Sequence, residues 1–222
     1  MINITEIGNS NFLRALLKGN RWECSRILHA QLENEMPVLD LYEMVIRKSL
    51  YEVGELWEMN RISVATEHLA SAIVEALLNE LYMTTVQNKK SEDKVIVACV
   101  ENEFHQIGIK MVSDIFEING WNSFFLGANT PTKELISFVE LVKPSMLAIS
   151  MSISSNIPVL EKMIRKIDAE APNLPILVGG QAFRRGGLEV IARYPNVTYL
   201  PDLQSVDALA KNFQLNGKAK TN

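Results

Sequence analysis

The stretch VIVACVENEFHQIG, residues 95–108, decides the fold of this 222-residue chain. Its first six residues are all apolar, which is typical of a strand that is buried on both faces of a parallel sheet. Three further runs of strand length follow, SFFLG at 123–127, SMLAISM at 145–151 and PILVGG at 175–180, each after a segment with helical spacing. With a weaker fifth strand at 197–200, this alternation predicts a flavodoxin-like or Rossmann-like α/β domain with a parallel five-stranded sheet.

The chain before this pattern has a different period. From about residue 9 to residue 88, apolar residues recur at intervals of three and four, which predicts an all-α region, a four-helix bundle. The predicted helices run from Asn9 to Lys18, through Trp22 to Asn34, from Pro37 through Trp57, and from an N-cap at Ser63 toward Val86. Gly19 is the expected stop of the first helix.

The run QNKKSEDK, residues 87–94, contains no apolar residue and separates the two patterns. We therefore expect a helical bundle over residues 1–88, a linker over residues 89–93 and an α/β domain over residues 94–222.

Composition and charge restrict the classes of function. A formal charge of -4 and a pI near 5.5 disfavour unaided binding to nucleic acid. Neither a secretory signal nor an apolar stretch of the ~18 residues that suggest a membrane span is present, so we expect a cytoplasmic protein with no membrane contact. Cys24 and Cys99 lack the paired spacing of zinc or redox sites and are expected to be reduced, buried thiols.

Polar and small residues follow the predicted strands at the edge where parallel α/β sheets bind ligands. Glu103, His105 and Gly108 follow the first strand, Ser150 and Ser152 end the third, and Gly179 and Gly180 end the fourth. Forty-one residues separate Gly108 from Ser150, and 26 separate Ser152 from Gly179.

In this order and at these intervals, the residues resemble the signature of the cobalamin-binding domain family, which occurs in methionine synthase, mutases, corrinoid methyl carriers and some sensors. The family pattern is Asp-x-His-x-x-Gly, then Ser-x-Leu, then Gly-Gly. This chain departs from it twice, since Glu103 replaces the aspartate and Ser152 replaces the leucine.

The resemblance implies a cobalamin cofactor with its own base displaced. His105 would be the lower ligand to cobalt, and Glu103 would orient its imidazole. Gly108 would let the backbone approach the nucleotide tail. The slot for the displaced base would be lined by Ser150, Ser152, Gly179 and Gly180, with Ser150 hydrogen-bonded to the base.

A second motif lies in the helical region. Trp57, nine intervening residues and then Glu67-His68 resemble a motif of the CarH-type cobalamin photoreceptors. The resemblance implies that the bundle covers the upper face of the cofactor, with Trp57 against an adenosyl group and polar contacts from Glu67 and His68. The alternative is that Trp57 is a core residue and the pair an exposed part of a helix. Glu58 stands where the photoreceptors have a second cobalt-binding histidine.

We therefore expect a sensor without enzymatic chemistry, responsive to light, with adenosylcobalamin favoured and methylcobalamin possible. We expect no winged helix-turn-helix in this chain, so a separate protein partner, such as a transcription regulator, would read the signal. One alternative is a corrinoid carrier that serves a methyltransferase. Another is the same scaffold with haem or a bilin, anchored by His105 or His68. A homo-oligomer is compatible with all three.

Overall fold

The computed structural model describes residues 10–85 and 91–219 of a chain that divides into two compact units, Met1–Thr85 and Val86–Asn222. Asn9, Val86 and the first two residues of the expected linker lie outside the described residues. No helix in the described part of the chain is both long and apolar enough to cross a bilayer.

The first unit is helical, as predicted. Its helices are Asn11–Leu17, Arg21–Glu33, a third made of three consecutive stretches, and Val64–Thr85. Gly19 ends the first helix with a φ of +69°, and the Ser63 hydroxyl caps the fourth by accepting from the Thr66 N–H at 3.1 Å. Leucines and isoleucines at helical spacing fill the core between these helices.

The third helix differs from the regular helix that the sequence predicts. It is α-helical over Val38–Asp40, π-helical over Leu41–Arg47 and α-helical again over Lys48–Glu58. Pro37 is its N-cap rather than its first residue. The wider π turn buries Tyr42 and Glu43 in succession, and Glu43 forms an ion pair with Arg47.

The second unit contains a five-stranded parallel sheet. The strands are β1 Lys94–Cys99, β2 Asn122–Gly127, β3 Met146–Ser150, β4 Ile176–Gly179 and β5 Val197–Tyr199. Their order, β2-β1-β3-β4-β5, is that of the flavodoxin-like fold and confirms the predicted architecture. In this order the strand sequence reverses direction between β1 and β3, and ligands bind at that point, beyond the strand ends.

Helices cover both faces of the sheet. Ile96 and Ala98 of β1 pack in the main core cluster with residues of the helices Thr132–Val142 and Ile157–Glu170. The alternate residues of β1 are buried on the other face, where the helix Ile107–Ile118 packs on the sheet and against the C-terminal helix Leu203–Ala219. This double cover explains the continuous apolar runs in the sequence.

Candidate cofactor site

The site residues are brought together by the register of the sheet. Cys99 pairs with Ser150 between β1 and β3, and Ser150 pairs with Gly179 between β3 and β4. Three neighbouring strands therefore end side by side at the reversal point. The segment that carries His105 leaves β1 at this edge and enters the helix that begins at Ile107.

His105 is held by a buried carboxylate. Its side chain is 55% exposed, whereas Glu103 is fully buried, and Nδ1 of His105 is hydrogen-bonded to Oε1 of Glu103. A carboxylate at Nδ1 fixes the proton there, so the lone pair of the neutral imidazole lies on Nε2. This is the arrangement that metal-binding histidines use.

The Glu103 carboxylate also joins two loops. Its Oε1 accepts from the loop after β1, and its Oε2 accepts from the loop after β3. The Oε1 donors are the backbone N–H groups of Phe104 at 3.1 Å and His105 at 3.2 Å, together with the His105 ring. The Oε2 donors are the backbone N–H groups of Ser152 at 3.1 Å and Ile153 at 3.0 Å, together with Asn156 Nδ2 at 3.3 Å. Burial by itself would raise the pKa of Glu103, but the hydrogen bonds donated by His105 and Ile153 and the electrostatic attraction of the His105 ring outweigh it and lower that pKa to about 2.

Replacing Glu103 with glutamine is expected to destabilise the fold by about 2–4 kcal/mol, because the amide NH₂ would face a cluster of three donors and leave buried N–H groups unpaired. Urea titration of E103Q against the wild type measures this difference in the free energy of unfolding. E189Q is the control, since Glu189 is exposed and its carboxylate accepts from the N–H of Gly187. Equal losses in both variants would contradict the assigned role of Glu103.

The glycines of the site differ in what surrounds them. A Cβ on Gly180 would lie 2.2 Å from the Met151 carbonyl oxygen, and one on Gly179 would lie 2.9 Å from the Leu200 carbonyl oxygen. Both positions therefore require glycine, because the backbone of a neighbouring segment lies too close for a side chain. A Cβ on Gly108 would meet only the Ser150 hydroxyl, at 4.0 Å, which is an ordinary contact.

Packing of the protein thus gives no reason for a glycine at position 108. The open space at Gly108 adjoins Ser150, which is 7% exposed at the end of β3. The half-exposed imidazole of His105, with its fixed tautomer, suits a metal. The open space at Gly108 beside the buried Ser150 hydroxyl suits a polar tail on the same cofactor. The residues present therefore fit cobalamin.

Two side-chain contacts of the site were not predicted from the sequence. Asn156 donates to Glu103, and the Cys99 thiol donates to the backbone carbonyl of His105 at 3.6 Å. Ser152 contacts Glu103 through its backbone, a role that its residue type does not reveal.

Both cysteines are free and buried, as expected, and burial raises the pKa of Cys24 to about 11 and that of Cys99 to about 12.

The helical unit presents its own candidate residues around one turn. Trp57 lies near the end of the third helix and is 46% exposed, so it is not a core residue. Glu67 and His68 lie in the first turns of the next helix, where His68 Nδ1 is 2.6 Å from Glu67 Oε2 and the Ser71 hydroxyl donates to Glu67 Oε1 at 2.9 Å. His68 is 74% exposed.

Comparison with known proteins agrees with this geometry. A family model described as a B12 binding domain matches residues 93–199, and a second model with the same description matches residues 10–82. The HTH-type transcriptional repressor CarH of Myxococcus xanthus is 28% identical over 150 residues, which are 67% of this chain and 50% of the repressor. The trimethylamine corrinoid protein 1 of Methanosarcina acetivorans is 29% identical over 118 residues, 50% of this chain and 53% of that protein.

This chain thus spans about half the length of these curated relatives. Among solved structures, the monomethylamine corrinoid protein of Methanosarcina barkeri has the same fold, with a TM-score of 0.78 at 15% identity, over 94% of this chain and 99% of that one. The two matched stretches together take in most of the described residues and fall one in each unit. The chain belongs to the family of B12 binding domain proteins and is a cobalamin-binding protein.

Proposed function

We propose that the protein is an adenosylcobalamin-dependent light sensor that signals to a separate protein partner. When bound, the cofactor supplies a cobalt–carbon bond that light can break. His105 would hold the lower face of the cobalt through Nε2, and Ser150, Ser152 and the glycines at positions 108, 179 and 180 would receive the displaced base. The helical unit would recognise the upper axial group.

The exposure of Trp57 is the observation that carries this proposal. A tryptophan that is 46% exposed at a helix end retains a large apolar surface for a partner group. Glu67 and His68, joined by a hydrogen bond on the helix that follows the same turn, add polar groups suited to a nucleoside. Loss of the upper group would remove binding energy that favours one arrangement of the chain, which is how a ligand shifts a conformational equilibrium.

A corrinoid carrier for methyl transfer is the second candidate. Glu58 favours it, because a carboxylate is a poorer cobalt ligand than the imidazole found at this position in CarH-type photoreceptors. The similarity to the trimethylamine corrinoid protein supports the same function.

Illumination of the adenosylcobalamin-loaded chain separates the two functions. We expect a change in hydrodynamic radius or oligomeric state after light, measured by size-exclusion chromatography with light scattering, and no such change in darkness. The absorption spectrum of the protein isolated with its native pigment identifies the tetrapyrrole beforehand.

A matched pair of tryptophan variants sharpens this test. W57A is expected to bind adenosylcobalamin and methylcobalamin equally well, whereas W22A, which removes the 73% exposed Trp22, keeps the wild-type preference for the adenosyl form. An identical radius before and after light would refute the sensor. Transfer of the methyl group from the methylcobalamin-loaded chain to a nucleophilic acceptor, in the presence of a methyltransferase, would favour the carrier.

A further inference from the structure

The loop that carries His105 is held from two sides. We call residues 100–106 the ligand loop and residues 128–132, from the end of β2 to the first residue of the helix Thr132–Val142, the β2 loop. On the β3 side, the Glu103 carboxylate accepts from Ser152, Ile153 and Asn156. On the other side, the β2 loop contacts residues of the ligand loop both before and after His105.

Thr132 makes the first of these contacts. Its hydroxyl donates to Oε2 of Glu101 at 2.5 Å, and its backbone N–H donates to the same oxygen at 3.3 Å. Thr132 is 4% exposed, so water has little access to compete for these bonds. The same two bonds hold the pKa of Glu101 below its usual range, and the carboxylate is therefore charged when it accepts them.

Two asparagines make the next contacts. Asn129 Oδ1 accepts from the N–H of Asn102 at 3.1 Å, and the N–H of Asn129 donates to the Glu103 carbonyl at 2.9 Å. Asn102 has a φ of +69° and Asn129 a φ of +50°, a left-handed conformation that asparagine tolerates better than most residues. Beyond His105, Gln106 Oε1 accepts from the Ala128 N–H at 3.2 Å.

We propose that Thr132 and Asn129 are positioning residues that set the strength of the bond from His105 to cobalt. The proposal rests on cobalt ligation by His105. If the loop that carries the imidazole is held on both sides before the cofactor binds, less conformational entropy is lost when the imidazole binds cobalt. The bond to cobalt is therefore stronger. Thr132 acts through the side chain of Glu101, and Asn129 acts through the backbone of Asn102 and Glu103.

The test uses the full chain loaded with cob(II)alamin. We compare T132V, which keeps the shape of the side chain and removes its hydroxyl, with N129G, which removes the amide and tolerates positive φ, and with the double variant. Electron paramagnetic resonance of protein labelled with ¹⁵N-histidine reports the fraction of cobalt bound to a protein imidazole. For the double variant we expect the ratio of unligated to ligated cobalt to rise about tenfold, the effect of losing one or two hydrogen bonds.

Two control variants separate positioning from general stability. T132S restores the hydroxyl and should restore the wild-type ratio. S113A breaks the 2.8 Å hydrogen bond between Ser113 and Ser123, at a site that is also buried and lies outside both loops, and should leave the ratio unchanged.

A second measurement covers variants that bind cobalamin poorly. In the cofactor-free chain, amide hydrogen exchange within residues 101–106 should be faster in T132V than in S113A. An unchanged nitrogen signal in the double variant, or equal exchange in T132V and S113A, would overturn the positioning role. A wild-type chain whose cobalt shows no histidine nitrogen would instead refute ligation by His105.

Discussion

The variant H105A is expected to lose the histidine nitrogen from the electron paramagnetic resonance spectrum of its bound cob(II)alamin, with affinity at least about 100-fold below that of the wild type. Changes in the groups that orient a metal-binding histidine already cost about 10–100-fold in other metal sites, so loss of the ligand itself should cost as much or more. The buried Glu103 would also lose the hydrogen bond from the His105 ring. The measurement is the nitrogen splitting of protein labelled with ¹⁵N-histidine, together with a cobalamin titration.

The other two histidines of the chain provide the controls. His29 Nε2 lies 2.7 Å from Glu80 Oε1 within the helical unit, an oxygen that also accepts from the Ser25 hydroxyl. H29A should therefore keep both the nitrogen splitting and the affinity. His68 is proposed to contact the upper axial group, so H68A should keep the splitting even if its affinity for adenosylcobalamin falls. A splitting that survived in H105A and disappeared in H68A would assign the ligand to the helical unit.

The sheet and the neighbourhood of His105 could be predicted because their causes are local. Strands buried on both faces leave continuous apolar runs, and parallel strands that alternate with helices must end at a common edge. The apolar runs therefore predict that the strand ends of β1, β3 and β4 are neighbours, and the register confirms this, since Cys99 pairs with Ser150 and Ser150 with Gly179. Glu103 follows β1 in the adjoining loop and contacts the loop after β3.

The contacts that bind the loops together could not be predicted, because they depend on backbone groups. Glu103 reaches the N–H groups of Ser152 and Ile153, and every residue except proline offers such a donor. The π turn at Leu41–Arg47 is equally hard to predict, since one widened turn shifts the helical phase without any distinctive residue. The motif also has a glycine at both position 108 and position 180 and so cannot reveal that only Gly180 lies against the backbone of another segment.

Alanine at these two glycines is expected to have effects of opposite sign on the fold. Gly180 has a φ of +109° and lies against the backbone of Met151, so G180A should destabilise the chain by about 3 kcal/mol or more. Gly108 lies in the first turn of the helix Ile107–Ile118, where a Cβ meets only an ordinary contact, so G108A should stabilise the cofactor-free chain by about 0.5 kcal/mol through helix propensity. Urea titration of the cofactor-free variants measures both.

A side chain at position 108 should instead weaken the binding of cobalamin. If the open space beside Ser150 receives the nucleotide tail, the added methyl group overpacks the slot by about 1–3 kcal/mol, and G108A should bind cobalamin about 10- to 100-fold more weakly than the wild type. G54A is the matched control, because Gly54 is also helical and a Cβ there meets nothing within 4 Å. It should gain similar stability and bind cobalamin normally. Wild-type affinity in G108A would place the tail away from Ser150. A stable fold with weakened cobalamin binding would show that Gly108 is required by the cofactor and not by the fold.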